Sequence, residues 1–437
     1  HPVAHSFPTR RSSDLVRWFR RYLKQDEDRP VRHPRSLSGF NTRSMGKNVP
    51  DKPGDTAAIL IPSVGCPVGC NFCSTSALFG GKGKFINFYE TGDELFQVMT
   101  GLESDLGVSS FFVLDENFLL HRKRALRLLE LMETHDKSWS ISVFSSARVI
   151  QSYSMEQLLG LGISWVWMGL EGEGSQYRKL KEVDTFDLVE TLQSNGIRVL
   201  GSSILGLEEH TPENIGAAVE YAVAHDTVFH QFMLYTPMPG TPLYESHKRN
   251  STLLADFPVA DTHGQYRFNY RHGAIPEGAE EGYLLGAFQT DFEVNGPSLF
   301  RLIRVLLDGY KKHGAHPDPR IRRRIQRESA PLKSTYAGAV WAMKAHYKKN
   351  PVMRKKMATL LKDLYAAFGP AVRLIAPAVG IYLGRTLRKE DRRLQSGWSP
   401  EPACFHEENE AAAGLTSRTP SRPEQPAALA PISASTK

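Results

Sequence analysis

The stretch PSVGCPVGCNFCSTS, residues 62–76, places three of the chain's four cysteines within eight positions, as Cys66, Cys70 and Cys73. Cysteines crowded in this way do not build a distributed disulfide framework. They point to metal binding or redox chemistry in a reducing compartment, so a cytoplasmic protein is expected. The composition around them is that of an ordinary soluble chain: 437 residues, 41% hydrophobic, 23% charged, with a formal net charge of +7. That length suffices for one large α/β domain and a smaller attachment.

Working outward from the cysteines, apolar and β-branched runs alternate with amphipathic helical patterns across residues 55–245. The runs are AAILIPS (57–63), SSFFVLD (109–115), SWSISVFSS (138–146), ISWVWMGLE (163–171), IRVLGSSILG (197–206) and TVFHQFMLY (227–235). Helices are predicted between them over 91–104, 121–136, 154–161, 185–195 and 211–225, several opening on Thr, Ser or Asp caps. Repeated βα units with right-handed crossovers predict an α/β fold, a partial (β/α)6 TIM-like barrel, followed by a C-terminal mainly helical region. In such a barrel the chemistry sits at the C-terminal ends of the strands, and the cysteine stretch follows the first strand directly.

The flanks read differently. HSFPTRRSSDL (5–15) lacks the apolar segment of a signal peptide and resembles the translation of a sequencing adapter, so residues 1–15 are set aside as an artefact. Residues 16–54 then read as a linker from a missing N-terminal domain, and an N-terminally truncated fragment is expected. A loop-rich passage is expected over 246–295, within a basic, mainly helical region spanning 246–396. The Pro-, Ala-, Ser- and Glu-rich tail, 397–437, is expected to be disordered.

Cys66, Cys70 and Cys73 form the pattern C-x-x-x-C-x-x-C, and thiolates are soft ligands suited to iron–sulfur clusters or zinc. Cys404, the remaining cysteine, lies in the tail and is a poor fourth ligand. A 4Fe-4S cluster held by three thiolates leaves one iron open to a small molecule carrying nitrogen and oxygen donors. The competing reading is a non-enzymatic, zinc-stabilised basic binding module, which three cysteines without histidines at finger spacing fit poorly. The loop, with Phe72 just before its last cysteine, resembles the radical S-adenosylmethionine superfamily, over roughly residues 55–245. The resemblance implies that S-adenosylmethionine chelates the open iron and is cleaved reductively to a 5'-deoxyadenosyl radical. It also implies an electron donor such as flavodoxin or ferredoxin.

The same resemblance extends to further strand ends. LDENF ends the second run, where Asp115, Glu116 and Asn117 are candidates to receive the methionine amino group; a strand-end turn with a helix cap is the alternative. MGLEGEG places Glu171 where relatives contact ribose or methionine. SSILGLEE resembles a G-x-I-x-G-x-x-E pattern that supports adenine: Ile204, Gly206 and Glu209 match, while Ser202 replaces the first glycine. Arg148 is a candidate partner for the S-adenosylmethionine carboxylate, with a plain surface arginine as the alternative. YTPMPGTPLYE (235–245) is similar to a turn in the branch of the superfamily that carries a cobalamin-binding domain, and RWFRRYLK and RHPRSLSGF ahead of the barrel are similar to the linker that follows that domain. Cobalamin-linked methylation of an unactivated carbon is therefore expected, with a cobalamin-free methylthiotransferase or cyclase as the alternative. The chain itself holds no cobalamin motif.

Residues 301–396 hold 23 Lys plus Arg against 6 Asp plus Glu, so the remainder of the chain is net acidic. Segments such as SLFRLIRVLLDGYKK alternate apolar and cationic positions as membrane-surface helices do. Pro370, Arg373 and Pro377 interrupt the apolar stretch from Leu364 to Leu383 and argue against a spanning helix. A peripheral contact with anionic lipid, serving a small-molecule or lipid-like substrate, is one reading. A helical cap on the barrel mouth is the second. Nucleic acid ranks last, because no nucleic-acid-binding fold accompanies the charge.

Overall fold

Six parallel strands form where the apolar runs lie: β1 (Ala57–Leu60), β2 (Ser110–Val113), β3 (Ser140–Phe144), β4 (Ile163–Glu171), β5 (Arg198–Leu205) and β6 (Phe229–Leu234). They are seen in a computed structural model that describes residues 21, 22, 24, 33–38, 43, 44, 47, 48, 56–172 and 183–397. The opening run 1–15, most of the linker and residues 398–437 lie outside the described residues. The strands stand in the sheet in chain order, and the two-residue strand Leu37–Ser38 adds antiparallel to the outer side of β1. Register is fixed by pairs such as Ile59 opposite Phe112, Phe111 opposite Ile141 and Val166 opposite Val199.

Between the strands run α1 (Gly92–Leu106), α2 (Arg122–Thr134), α3 (Met155–Gly160), α4 (Thr185–Ser194) and α5 (Ile215–Ala224). Local chemistry starts α1 and α3 where the sequence predicts, whereas α5 begins at Ile215, four residues after the expected 211. Thr91 and Ser154 each accept from the backbone N–H three residues on, while Glu94 and Gln157 reach back to the cap backbone. Alternate strand residues, Phe111 and Val113, Ile141 and Val143, Val166, Met168 and Leu170, are buried in one core with Leu95, Met99, Leu128 and Val189 of the helices. The period of two along each strand thus separates a helix-covered face from a concave one.

The barrel is open. Among the described strands β6 pairs only with β5, and β1 has Leu37–Ser38 on its outer side. Yet the Asn71 side chain, just after β1, donates to the hydroxyl of Tyr235, just after β6, at 3.1 Å, and the Leu243 amide donates to the Asn71 carbonyl at 3.1 Å. Two ends of a six-stranded sheet meet through their loops only if the sheet curls, so the partial barrel is a physical consequence of strand twist.

After β6, the helix Pro242–Arg249 is followed by loops and then by α6 (Glu280–Asn295), α7 (Ser298–His313), α8 (Pro319–Ser329), α9 (Thr335–His346), α10 (Pro351–Phe368) and α11 (Pro370–Gln395). The expected loop-rich passage over 246–295 therefore ends at α6, whose weak amphipathic pattern hides it from a sequence reading. The basic helices pack at the N-terminal ends of the strands, opposite the barrel mouth. Arg320 and Arg324 donate to the carbonyls of Gly160 and Leu159, and the Ser138 hydroxyl donates to the Arg320 carbonyl. Arg198, at the start of β5, pairs with Glu328 at 2.9 Å, and Arg301 pairs with Asp291 at 2.7 Å while donating to the Thr227 carbonyl. The placement corrects the expectation of a cap on the mouth. Among the described residues, no helix is long and apolar enough to cross a membrane.

Candidate functional site

The cysteine loop leaves β1 through a short antiparallel pairing of Ser63–Val64 with Ile86–Asn87, which closes the base of the segment between them. Inside it the backbone is wound on itself. The Cys73 amide donates to the Cys70 carbonyl at 3.2 Å, and the Ser76 hydroxyl donates to the Cys66 carbonyl at 2.9 Å. The Gly83 amide donates to the Pro67 carbonyl at 2.9 Å. Cys73 is also the N-cap of the helix Ser74–Leu78, its sulfur accepting from the Ser76 amide. Gly69 has φ +74°, and a Cβ there would stand 2.5 Å from the Lys82 Cβ, so the tight winding admits no larger residue. The three thiols are half-buried and none is in a disulfide. Among the described residues no three His, Cys, Asp or Glu side chains enclose a single ion. A cluster asks for a wider set, because each thiolate binds a different iron corner. Three soft donors on one tightly wound loop fit such a cluster and leave a corner without a cysteine.

The three candidates after β2 divide sharply. Asp115 is buried and saturated: it accepts from the Ser63 hydroxyl, pairs with Arg124 at 2.9 Å and accepts from the Asn117 amide at 3.0 Å. Asn117 is buried as well, its side-chain oxygen accepting from the Ser145 hydroxyl and the Ser146 amide at the end of β3. Both hold the strand ends in place. Glu116 does not. It is half-buried and takes the Gly65 amide of the cysteine loop, while its Oε2 is buried without a hydrogen-bond partner. Burial pushes its carboxyl above the ordinary range, the nearby Asp115 carboxylate adds to the rise, and the backbone N–H groups of Glu116 and Gly65 oppose it. An orphaned carboxylate oxygen against the cysteine loop fits a cationic donor such as an ammonium group.

Glu171 closes β4 in a left-handed conformation, φ +56°, with 5% of its surface exposed. A register shift between Ser202 and Ser203 of β5 brings Glu171 opposite Ser203. A buried carboxylate in a backbone region that L-residues avoid is held there by the surrounding structure. Next to it lies an apolar ledge, where Ile204, Leu207, Tyr235 and Leu243 cluster with Phe72 packed against them. The Phe72 and Tyr235 rings meet edge to face, 6.1 Å apart. Gly206, φ +73°, lies under the Phe268 ring, which a Cβ would meet at 2.2 Å. Its carbonyl accepts from the Tyr270 hydroxyl, and its amide donates to the His210 Nδ1 at 3.0 Å.

The remaining sequence candidates sit apart. Arg148 is exposed on the helix Ala147–Gln151, and Glu209 is exposed beyond β5. Ser202 is half-buried, its hydroxyl donating to the Gln231 side chain of β6 at 3.1 Å. The hydroxyl that replaces the glycine hydrogen is therefore engaged in a strand-to-strand hydrogen bond. Two residues escape a reading of the sequence alone. Arg124 neutralises Asp115 from α2, and no local pattern signals it. His210, whose pKa burial lowers, organises the turn after β5; its spacing of four from Gly206 is the one available cue.

Residues 60–222 match the Radical SAM superfamily. An uncharacterized methyltransferase of Pyrococcus horikoshii is 29% identical over 203 residues, which span 45% of this chain and 43% of that protein. The bacteriochlorophyllide d C-12(1)-methyltransferase of Chlorobaculum tepidum is 25% identical over 198 residues, 43% of this chain and 42% of its own length. The match thus spans less than half of either relative. Among solved structures, the radical S-adenosylmethionine methyltransferase TsrM of Kitasatospora setae, with cobalamin and a 4Fe-4S cluster bound, aligns with a TM-score of 0.43 at 17% identity, covering 62% of this chain and 61% of that one. Residues 60–222, which hold all three clustered cysteines, are thus similar to the radical SAM superfamily, whose enzymes work with a 4Fe-4S cluster and S-adenosylmethionine.

Proposed function

We propose that this chain cleaves S-adenosylmethionine reductively at a 4Fe-4S cluster and directs the resulting radical chemistry to cobalamin-linked methylation of an unactivated carbon. The observation that carries the reading is the tightly wound, disulfide-free triad Cys66, Cys70 and Cys73 beyond the C-terminal end of β1, on a loop whose Gly65 amide is held by Glu116, a carboxylate with one buried oxygen left without a hydrogen-bond partner. Once loaded, the cluster supplies the electron that splits the sulfonium. The chain's own residues hold and orient. The three thiolates take three irons, Glu116 accepts from the methionine ammonium, and Glu171 accepts from ribose hydroxyls. The ledge of Phe72, Ile204, Leu207 and Tyr235 covers the nucleoside and excludes water from it. Arg148 and Glu209, both exposed, carry no contact in this proposal.

Methyl transfer is favoured over methylthiolation by the methyltransferase names of the two relatives, and cyclisation is the second reading because cyclases match over a similar length. The cobalamin assignment rests on the resemblance of YTPMPGTPLYE, residues 235–245, to the turn of the cobalamin-linked branch. The electron comes from a flavodoxin or ferredoxin type of donor, and the substrate is a small or lipid-like molecule.

Anaerobic reconstitution with iron and sulfide tests the core of the proposal. The expected result is a brown protein that releases 5'-deoxyadenosine from S-adenosylmethionine under dithionite. Cys70→Ala abolishes both the iron–sulfur absorbance and the product, while Cys404→Ala changes neither. A reconstituted sample that binds stoichiometric zinc and no iron overturns it.

A further inference from the structure

The last helix, α11, presents a solvent face of unusual composition. Ala371, Leu374, Ile375, Ala378, Ile381 and Tyr382 are all exposed along its first half, with Leu374 at 79%, Tyr382 at 46% and Ile381 at 45%. Arg385, Arg388, Lys389 and Arg392 continue the same stripe along the second half, and all four are exposed. At 100° per residue these ten positions fall on one side of the helix. The opposite side is accounted for: Val372, Ala376 and Leu383 are buried in the helical core against α9 and α10.

The other basic helices do not share this feature. In α7, Phe300, Ile303, Leu306 and Leu307 are buried, so its alternation of apolar and cationic positions serves packing rather than lipid. In α8, Arg320 and Arg324 are buried against the strand ends. On α11 the apolar residues face outward instead, and among the described residues none of its four stripe cations has an ion-pair partner. An apolar stretch continuous with unpaired cations is complementary to a bilayer surface, where acyl chains lie directly under anionic head groups. Pro377 and the short apolar run keep the helix from spanning.

We propose that the outward face of α11 is a peripheral docking surface for an anionic lipid bilayer, with Leu374, Ile375, Ile381 and Tyr382 entering the head-group boundary and Arg385, Arg388, Lys389 and Arg392 contacting lipid phosphate. The surface is separate from the cysteine loop, so its test does not depend on the radical chemistry.

Flotation of the full chain with vesicles of phosphatidylcholine containing about one-third phosphatidylglycerol is the direct test. The protein is expected to float with these vesicles, to remain behind with pure phosphatidylcholine, and to detach as salt is raised. Reversing two cations, Arg385→Glu with Arg388→Glu, weakens partitioning roughly tenfold or more. Leu374→Glu with Ile381→Glu abolishes it; these exposed positions leave the helical core intact, which circular dichroism verifies. The proposal is overturned if the parent does not float, or if both variants float as the parent does. It is equally overturned if the stripe proves to join two copies, with Leu374→Glu converting a dimer to a monomer that still ignores vesicles. Cation-dependent binding to duplex DNA with no vesicle binding also overturns it.

Discussion

The two ends of the barrel handle buried charge in opposite ways. At the N-terminal end Glu328 is 11% exposed and meets Arg198 at 2.9 Å, Arg324 at 3.3 Å and the Ser140 hydroxyl at 2.5 Å. Burial disfavours its charge, but the two guanidinium groups win and hold the carboxyl down at about 2. At the C-terminal end Glu116 is pushed the other way, with one oxygen buried and unpartnered. Both are glutamates packed near strand ends, Glu328 from α8 and Glu116 from the turn after β2. Each has a buried Oε2 without a hydrogen-bond partner, but that of the lower one lies 2.9 Å from the Arg198 guanidinium and is neutralised by it, whereas among the described residues the upper one has no ion pair. A network satisfied internally builds stability, and a polar atom left orphaned in a buried site costs stability unless a ligand completes it.

Removing the lower carboxylate should produce the larger loss. Glu328→Gln leaves Arg198 and Arg324 buried with no counter-charge, and is expected to cost about 3–5 kcal/mol in chemical denaturation at pH 7. The same contrast has a pH signature. Because the folded-state value of Glu328 lies below its unfolded value, its contribution is present above about pH 4.5 and is lost as pH falls from there through about 2, an effect of about 3 kcal/mol. Parent and Glu328→Gln should therefore converge in stability across that window. Parallel curves would show that the pair does not govern the acid limb.

At the upper rim the loss should appear in binding. Glu116→Gln keeps the shape and removes the charge. It is expected to weaken S-adenosylmethionine binding to the reconstituted protein about tenfold, the scale of one charge-assisted hydrogen bond. Folding stability should move by less than about 0.5 kcal/mol. Asp115→Asn is the control that separates the neighbours: it breaks the buried pair with Arg124 and should unfold more readily. Equal binding by Glu116→Gln and the parent would remove Glu116 from the site.

Much of this contrast was legible in the sequence, and the limit has a physical cause. The strands and crossover helices follow from period two, period 3.6 and local caps, all of which are short-range, and the cysteine spacing marks the loop in one stretch. By contrast, Asp115, Glu116 and Asn117 are indistinguishable as letters. Their separation comes from Arg124 on α2, Ser63 beside the loop and Ser145 on β3, groups brought together only by the fold. The basic region misleads for the same reason. Its charge suggests a cap on the mouth, but Arg320 and Arg324 are buried under the opposite end, and it is α11 whose exposed apolar stripe runs on into exposed cations. The exposed positions of Arg148 and Glu209 depend likewise on tertiary placement, which motif matching does not carry.

The smallest expected effect is also the most specific to the comparison, since it turns on the sign of a slope. Glu116 has a folded-state value above its unfolded one, so the unfolded chain releases its proton first as pH rises. Its contribution is then complete below the unfolded value and fades as pH climbs through the raised folded value, the reverse of Glu328. Glu116→Gln should therefore lie closer to the parent at low pH and become relatively more stable above that window, whereas Glu328→Gln should approach the parent only in acid. Stability of the two variants measured from pH 3 to 8 gives two difference curves of opposite slope if the upper rim is a site waiting for a ligand. Saturating S-adenosylmethionine should flatten the Glu116 curve, because an ammonium at Oε2 stabilises the ionised carboxylate and brings its pKa back down. A Glu116 difference curve that slopes like that of Glu328, with or without the nucleotide, would mean that both rims are built alike and that the orphaned oxygen has no role in binding.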